Sequence, residues 1–433
     1  MKRTFLFLST SIALTASVFI RQAIAGPPPE QYFRLQNGLR VVLVQDMNAR
    51  FATVTVGYRA GSAADPPRMP GMAYVVSSLM FAPSVDNTVD FMARVRKLGG
   101  RATARVGRSF AVYTDTVPVY RLSAALQLEA SRMQPRKYAS REVQAVIMAA
   151  EETASRAIPP TARLLQMLYK RAFYNTALAF PPGGTPLGLS RIRPENIYAF
   201  EREYITPTNA ALVVRAPVSF PEMKRTIELS FSSVNGNFAR TQPELRPSIQ
   251  GKPIRVGGGR HNKKVIAFKA PSTNDDDVAP LYIALQLLSV QTRRERGTIG
   301  VNSRWDPLSL ARLLVLYTVS GKKTHPLNNR IETSLYVLSI APIDQDDLRR
   351  AKDTALDALY GTPRRMDMTT VKSLLISGQP QLRMLSQSTI EEVRGHDIRA
   401  AVRRWLIDGD AALNADGPIG RYVYGLRGEV FRR

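Results

Sequence analysis

A stretch of 25 residues occurs twice in this chain, 201 positions apart. RPENIYAFEREYITPTNAALVVRAP (193–217) lies against RGHDIRAAVRRWLIDGDAALNADGP (394–418) without a gap. Eight of the 25 positions are identical, among them Arg193/Arg394, Ile197/Ile398, Arg202/Arg403 and Ala-Ala-Leu at 210–212 and 411–413, and Tyr204 matches Trp405. Each copy reads as a helix, a turn and an alternating strand. A register held over this length without an insertion indicates a duplication, so the chain is expected to fold as two halves on one plan.

The local patterns agree. The first half opens with strands at 32–35, 41–44 and 52–58, the first two joined by an Asn37-Gly38 turn, a strong hairpin signal between apolar runs. Helical periodicity follows at 71–82, 89–98, 119–134, 140–156 and 160–171, then at 195–204, a strand at 209–215 and a helix at 219–232. In the 119–134 helix, Leu122, Ala125, Leu126 and Met133 fall in register. The stretch 235–259 is rich in Pro, Gly and Arg and has weak periodicity, which marks a linker. The second half restarts with a strand at 264–269, set against 41–44 of the first half, and continues with helices near 278–290, 344–360, 366–376 and 395–406. The domain reading is a leader at 1–25, an N-terminal domain at 26–235, a linker at 236–259 and a C-terminal domain at 260–433.

The leader has the form of a secretory signal. Lys2 and Arg3 precede an apolar run from 5 to 20, and Ala23-Ile24-Ala25 is a small-x-small cleavage site followed by Gly26 and three prolines. An uncleaved anchor is the rival reading, but 16 apolar residues ending at Arg21 are short for a span. Cleavage after Ala25 and export, to a bacterial periplasm, are expected. The chain has no cysteine, so neither disulfides nor thiolate metal sites are available and stability must come from its cores. The net charge is +25; the first 25 residues hold three cations and no acid, so the remainder carries +22. The basic residues are spread along the chain with no nucleic-acid module among them, which argues against specific nucleic-acid binding and leaves an anionic membrane surface or partner.

GMAYVVSSLMFAPS, at 71–84, has the outline of a site helix. Met72, Val75, Val76, Leu79 and Met80 form one apolar stripe, and the other face carries Tyr74, Ser77, Ser78 and Phe81. The three histidines, His261, His325 and His396, share no helical spacing and have no carboxylate at metal-ligand spacing, so each reads as a surface or capping residue.

Over about residues 31–420 the chain resembles the pitrilysin/insulinase family of zinc metallopeptidases, of the mitochondrial-processing-peptidase type. RLQNGLRVVLVQD is similar to the family's opening strand pair, AGSAADPPRMPGMA to the approach to its catalytic helix, and KLGGRATA to its Gly-Gly strand segment. IYAFEREYITPTNAALVV resembles its aromatic–Tyr–x–Pro–x–Asn–x–x–Leu–x–Val element, with Ile205 at the Tyr position. APIDQDDLRRAKDTAL resembles the stretch before its last helices. The resemblance implies an α+β fold of two homologous domains, each a mostly antiparallel sheet backed by helices, closed as a clam around a chamber.

Active members carry His-x-x-Glu-His, which sets two imidazoles on one helix face to hold Zn²⁺, with the Glu as general base and a Glu some 75 residues later as a further ligand. The resemblance places Tyr74 and Ser78 at the histidine positions and Ser77 at the glutamate position. Tyrosine and serine hydroxyls make a poor Zn²⁺ site at neutral pH, so no metal or other cofactor is expected. Glu151 and Glu152 lie 73 and 74 residues beyond Ser78, and either could stand at the distal ligand position or be a surface carboxylate. Glu151 falls in register with Val143 and Ile147, which would turn it inward. Arg293 in RRERGTIG fits the Arg of a substrate-contacting Arg/Tyr pair, although Gly300 then holds the Tyr position; a basic surface turn fits as well.

Three functional expectations follow. The first is an inactive homologue that binds extended peptides along an edge strand at 102–106 through 110–114 and completes a chamber with an active zinc-peptidase homologue. The second is a hydrolase using Ser77 or Ser78, which would need a base. The third is a basic scaffold at an anionic envelope surface.

Overall fold

The computed structural model describes residues 28–85, 89–156, 160–236, 245, 247, 265–294, 301–318 and 330–407. The leader, most of the linker, Gly300, His261 and His325 lie outside the described residues.

The first half is a six-stranded sheet with helices on one face. Its strands are β1 (Glu30–Arg34), β2 (Arg40–Gln45), β3 (Phe51–Tyr58), β4 (Arg101–Val106), β5 (Ala111–Pro118) and β6 (Ala210–Ala216), in the order β1-β2-β6-β3-β5-β4. All neighbours are antiparallel except β2 and β6. Its helices are α1 (Met72–Leu79), α2 (Phe91–Lys97), α3 (Leu122–Arg132), α4 (Ser140–Ser155), α5 (Pro160–Ala172), α6 (Pro186–Leu189), α7 (Pro194–Tyr204) and α8 (Phe220–Phe231). β4 is a sheet edge, as expected for 102–106, whereas 110–114 belongs to β5, which is paired on both sides and offers no edge.

The second half contains β7 (Val265–Lys269), β8 (Val301–Arg304) and β9 (Leu313–Thr318), in the order β7-β9-β8, with α9 (Val278–Arg294), α10 (Arg330–Ile340), α11 (Gln345–Tyr360), α12 (Pro363–Ser377), α13 (Gln387–Glu392) and α14 (Gly395–Val402). This order repeats β3-β5-β4. β8 and β9 stand about 200 residues after β4 and β5, so β7 is the counterpart of β3 and not, as the sequence suggested, of the strand at 41–44. Leu245, inside the proposed linker, pairs with Ala311 beside β9, so that part of the linker is docked on the second half.

The duplication is visible at the helix starts. The Asn196 side chain accepts the Arg193 backbone N–H at 3.0 Å, and the Asp397 side chain accepts that of Arg394 at 2.7 Å. Ile197 and Ile398 are fully buried, and Tyr204 and Trp405 are each 7% exposed. α14 runs on into a π turn at 403–407, which its partner α7 lacks.

Each half covers the other's sheet. In the first sheet Val41, Leu43, Val54, Val56, Tyr113, Leu212 and Val214 face that half's own helices. The alternate residues Val42, Val44, Val112, Ala211 and Val213 face α12 of the second half, through Val371, Leu374 and Leu375. Gly57 marks the closest approach: a Cβ there would lie 2.2 Å from a Val371 methyl. A polar latch closes this contact. Arg215 forks onto Asp367 of α12 at 2.6 and 3.1 Å and reaches Asp46 at 3.3 Å, while Arg40 donates to the Leu374 carbonyl at 2.6 Å. Reciprocally, α5 of the first half lays Leu165, Leu168 and Ala172 on Ala267, Leu313 and Val315 of the second sheet. α5 precedes α12 by about 200 residues, so the exchange follows the duplication.

Candidate functional site

α1 is held at its start by a carboxylate and two glycines. Asp65 accepts from the backbone N–H of Gly71 at 2.7 Å and of Ala73 at 2.8 Å, pairing donors that a helix leaves free at its first turn. Burial pushes the Asp65 carboxyl up to about 7, against the pull of those two N–H groups. Gly71 has φ +104° and lies against Gly184, where a Cβ would be 2.8 Å from the Gly184 Cα. Met72, Val75, Val76 and Leu79 are fully buried, as the apolar stripe predicted, and α1 packs on α4 and α7.

The opposite face is only partly a surface. Tyr74 and Phe81 are half-buried against the core, and Ser78 donates to the Tyr74 carbonyl one turn back at 3.0 Å. Ser77, expected on the outward face, is buried, because the sheet and the neighbouring helices enclose a helix of only eight residues from several sides. Its hydroxyl meets that of Tyr113 on β5. Burial pushes the Tyr113 phenol up to about 12, so Tyr113 is a neutral hydrogen-bonding partner and not a base. Among the described residues neither serine has the adjacent base that a nucleophile needs.

Below Tyr113 lies a charged cluster that the sequence reading missed. Arg132 and Glu129 of α3 form a fully buried ion pair. The Arg132 guanidinium sits 4.4 Å from the Tyr113 ring centroid and 4.0 Å from that of Phe91. Asp115 on β5 is fully buried, and neither of its oxygens has a hydrogen-bond donor among the described residues. Burial and then Glu129 push the Asp115 carboxyl well above the ordinary range. The signal was present: Glu129 falls on the stripe Leu122, Leu126, Met133, where a charge must be buried.

The distal carboxylates do not turn inward. α4 buries Val143, Ile147 and Ala150, so Ala150 takes the place expected for Glu151. Glu151 is left half-buried at the margin, and Glu152 is in solvent, paired with Arg156 at 2.9 Å. The helix advances 100° per residue, so one position separates a core side chain from a rim one. Arg293 lies in the last turn of α9 and not in a surface turn. His396 is exposed beside Asp397 at 3.1 Å. Among the described residues no group of three or more His, Asp or Glu is placed to hold a metal. Zn²⁺ prefers imidazole, thiolate or carboxylate, and the donors at Tyr74, Ser77 and Ser78 are neutral hydroxyls, two of them already hydrogen-bonded. These residues do not fit the metal.

Comparison with known proteins places this frame. Residues 40–185 match the model of the insulinase peptidase family M16, and residues 191–355 match that of the peptidase M16 inactive domain. The probable mitochondrial-processing peptidase subunit beta of Arabidopsis thaliana is 21% identical over 432 residues, covering 92% of this chain and 80% of that protein. A protease from Helicobacter pylori superposes with a TM-score of 0.76 at 18% identity, covering 88% of this chain and 97% of the other. The periplasmic protease PqqL from Escherichia coli gives 0.70 at 15%, covering 87% of this chain and 46% of the larger protein. Among the described residues no helix is long and apolar enough to cross a membrane. The chain therefore belongs to the insulinase (M16) peptidase family, with an M16 domain followed by a domain of the M16 inactive type.

Proposed function

We propose that this chain is a catalytically silent M16 member that works as a peptide-binding, chamber-completing subunit beside an active zinc-peptidase homologue in the periplasm. The observation that carries this reading is the contrast at α1. The helix is capped, seated and packed as a site helix, while Tyr74, Ser77 and Ser78 bring hydroxyls where two ligands and a base are needed. A relative named as a subunit of a processing peptidase makes a partner plausible, and the name of PqqL supports a periplasmic setting. Among the described residues β4 pairs only with β5, so its outer edge supports binding of an extended peptide by strand addition through main-chain hydrogen bonds.

Two measurements test it. Metal analysis of the purified chain is expected to find no stoichiometric zinc, and unfolded peptides are expected to stay intact. One zinc per chain, or cleavage abolished by a chelator, overturns the reading. Pull-down at moderate salt is expected to bring down a homologue with His-x-x-Glu-His, encoded by a neighbouring gene. The charge of +22 supports a second reading, a scaffold on anionic envelope surfaces. That reading predicts vesicle binding abolished by salt and no co-purifying homologue.

A further inference from the structure

Positive charge collects along β4, the edge strand of the first sheet. Residues 91–114, which run from α2 through β4 into β5, hold six cations and no acid. The acids that flank this stretch are engaged or enclosed: Asp90 caps α2 by accepting the Ala93 N–H at 2.6 Å, and Asp115 is fully buried. Arg108, just after β4, is committed, with its guanidinium 3.5 Å from the Tyr169 ring centroid and donating to the Leu178 and Phe180 carbonyls. Arg101 and Arg105 on β4 are exposed and form no ion pair among the described residues.

The register of the sheet puts these two arginines on one face. Arg101 stands opposite Thr116 of β5, Thr103 opposite Thr114, and Arg105 opposite Val112. Val112 faces the α12 side of the sheet, so Arg101, Thr103 and Arg105 point to that side too. α12 lies over β3 and β6, and the three β4 side chains stay exposed beyond it. Thr103, between the arginines, is neutral, and its hydroxyl reaches the Thr114 carbonyl at 3.5 Å. The arginines are four residues apart, about 13 Å along an extended chain. The other face of β4 carries Ala102, Ala104 and Val106, all uncharged.

A strand added to this edge sets its side chains opposite those of β4, alternate residues on the arginine face and the rest on the alanine face. Two carboxylates four positions apart on that strand then meet Arg101 and Arg105 together. Two carboxylates three positions apart fall on opposite faces, and only one can be paired.

We propose that the β4 edge selects acidic extended peptides, with Asp or Glu at positions four apart, one carboxylate on Arg101 and the other on Arg105. This rests on the strand addition proposed above and adds to it the sign and spacing of the ligand's charges.

The test is titration of the full chain at low ionic strength, where exposed pairs are least screened, with four peptides of one otherwise uncharged sequence. They carry two Glu four positions apart, two Glu three apart, two Gln four apart, or two Lys four apart. The first is expected to bind about tenfold more tightly than the Gln peptide and several-fold more tightly than its three-apart isomer, with the Lys peptide weakest. Hydrogen exchange of the β4 amides should slow on binding. The double variant Arg101→Gln, Arg105→Gln should bring the Glu peptide down to the affinity of the Gln peptide, and Arg225→Gln, at an exposed cation on α8, should change nothing. Circular dichroism checks that the variants fold. Equal affinity for the Glu and Gln peptides overturns the charge selection and leaves strand addition standing. Equal affinity for the two Glu peptides shows that the chain's overall charge attracts them, and overturns the site. Binding of no peptide, with the β4 amides unchanged, overturns strand addition and this proposal with it.

Discussion

α1 and α9 hold matching places in the two halves, each between its own sheet and two helices, α4 and α7 for one and α11 and α14 for the other. Beneath α9 the contacts are aliphatic and aromatic: Ile283, Leu285, Leu287 and Leu288 meet Ile266, Phe268, Leu314 and Leu316. Beneath α1 the same layer holds Tyr113, Asp115, Glu129 and Arg132. A buried ion pair seldom stabilises a core more than apolar side chains of the same volume would. Among the described residues, the layer beneath α9 is packed without a charged cluster of this kind. The polar floor under α1 is therefore not demanded by the fold.

The comparison can be broken first at the cation. Arg132→Met leaves Glu129 buried without its partner and should cost about 3–5 kcal/mol, read from urea unfolding. Replacing Asp115, Glu129 and Arg132 together with Leu, Leu and Met converts the floor to the α9 type and should leave stability unchanged or raised; a loss as large as the single variant's would show that the charges are needed for folding. On the other side, Leu285→Ala should cost about 2–5 kcal/mol, because its buried methyl groups are lost and the surrounding core relaxes only partly into the space they leave.

Smaller effects sharpen the contrast at the start and middle of α1. Asp65→Asn keeps the shape of the cap but turns an NH2 donor toward one of the two backbone N–H groups that the carboxyl oxygens accept, and should cost about 1–2 kcal/mol at neutral pH. It also changes the pH profile. The folded Asp65, at about 7, holds a proton that the unfolded chain, near its ordinary value of 3.8, has already released. Its contribution is therefore largest at low pH, falls as pH rises from about 4 to about 7, and is flat above. Subtracting the profile of the Asp65→Asn variant from that of the wild type isolates this slope from Asp115 and Glu201, which burial shifts the same way; a flat difference would refute it. Ser77→Ala removes one hydroxyl from Tyr113 and should cost about 1 kcal/mol, with no change in any activity, measured by the same unfolding.

The helices were legible because 3.6-residue periodicity is strong in them: α4, α7 and α11 begin and end within about one residue of where the pattern put them, while α1 ends at Leu79, short of the expected 82. The strands β8 and β9 and the helix α10 were not assigned, although LLVLYT is an apolar run, because a short buried run has no period of its own. Periodicity also shows that a face is apolar without showing which layer covers it. Ser77 was read as outward for that reason, since the stripe on α1 accounts for one packing surface and the structure supplies more. The exchange of α5 and α12 was beyond reach for the same reason: Leu165 and Leu168, like Val371 and Leu374, advertise a partner in the other half that sequence distance conceals.

That exchange bears on how the protein can be cut. A protease acting between Val234 and Val265 would sever the covalent join and leave two pieces that still hold each other's helices. The nicked protein should migrate as one particle in a native gel, and either piece made alone should aggregate, because an uncovered β-sheet face seeks another. Mixed from denaturant, the two pieces should reassemble as a complementing pair.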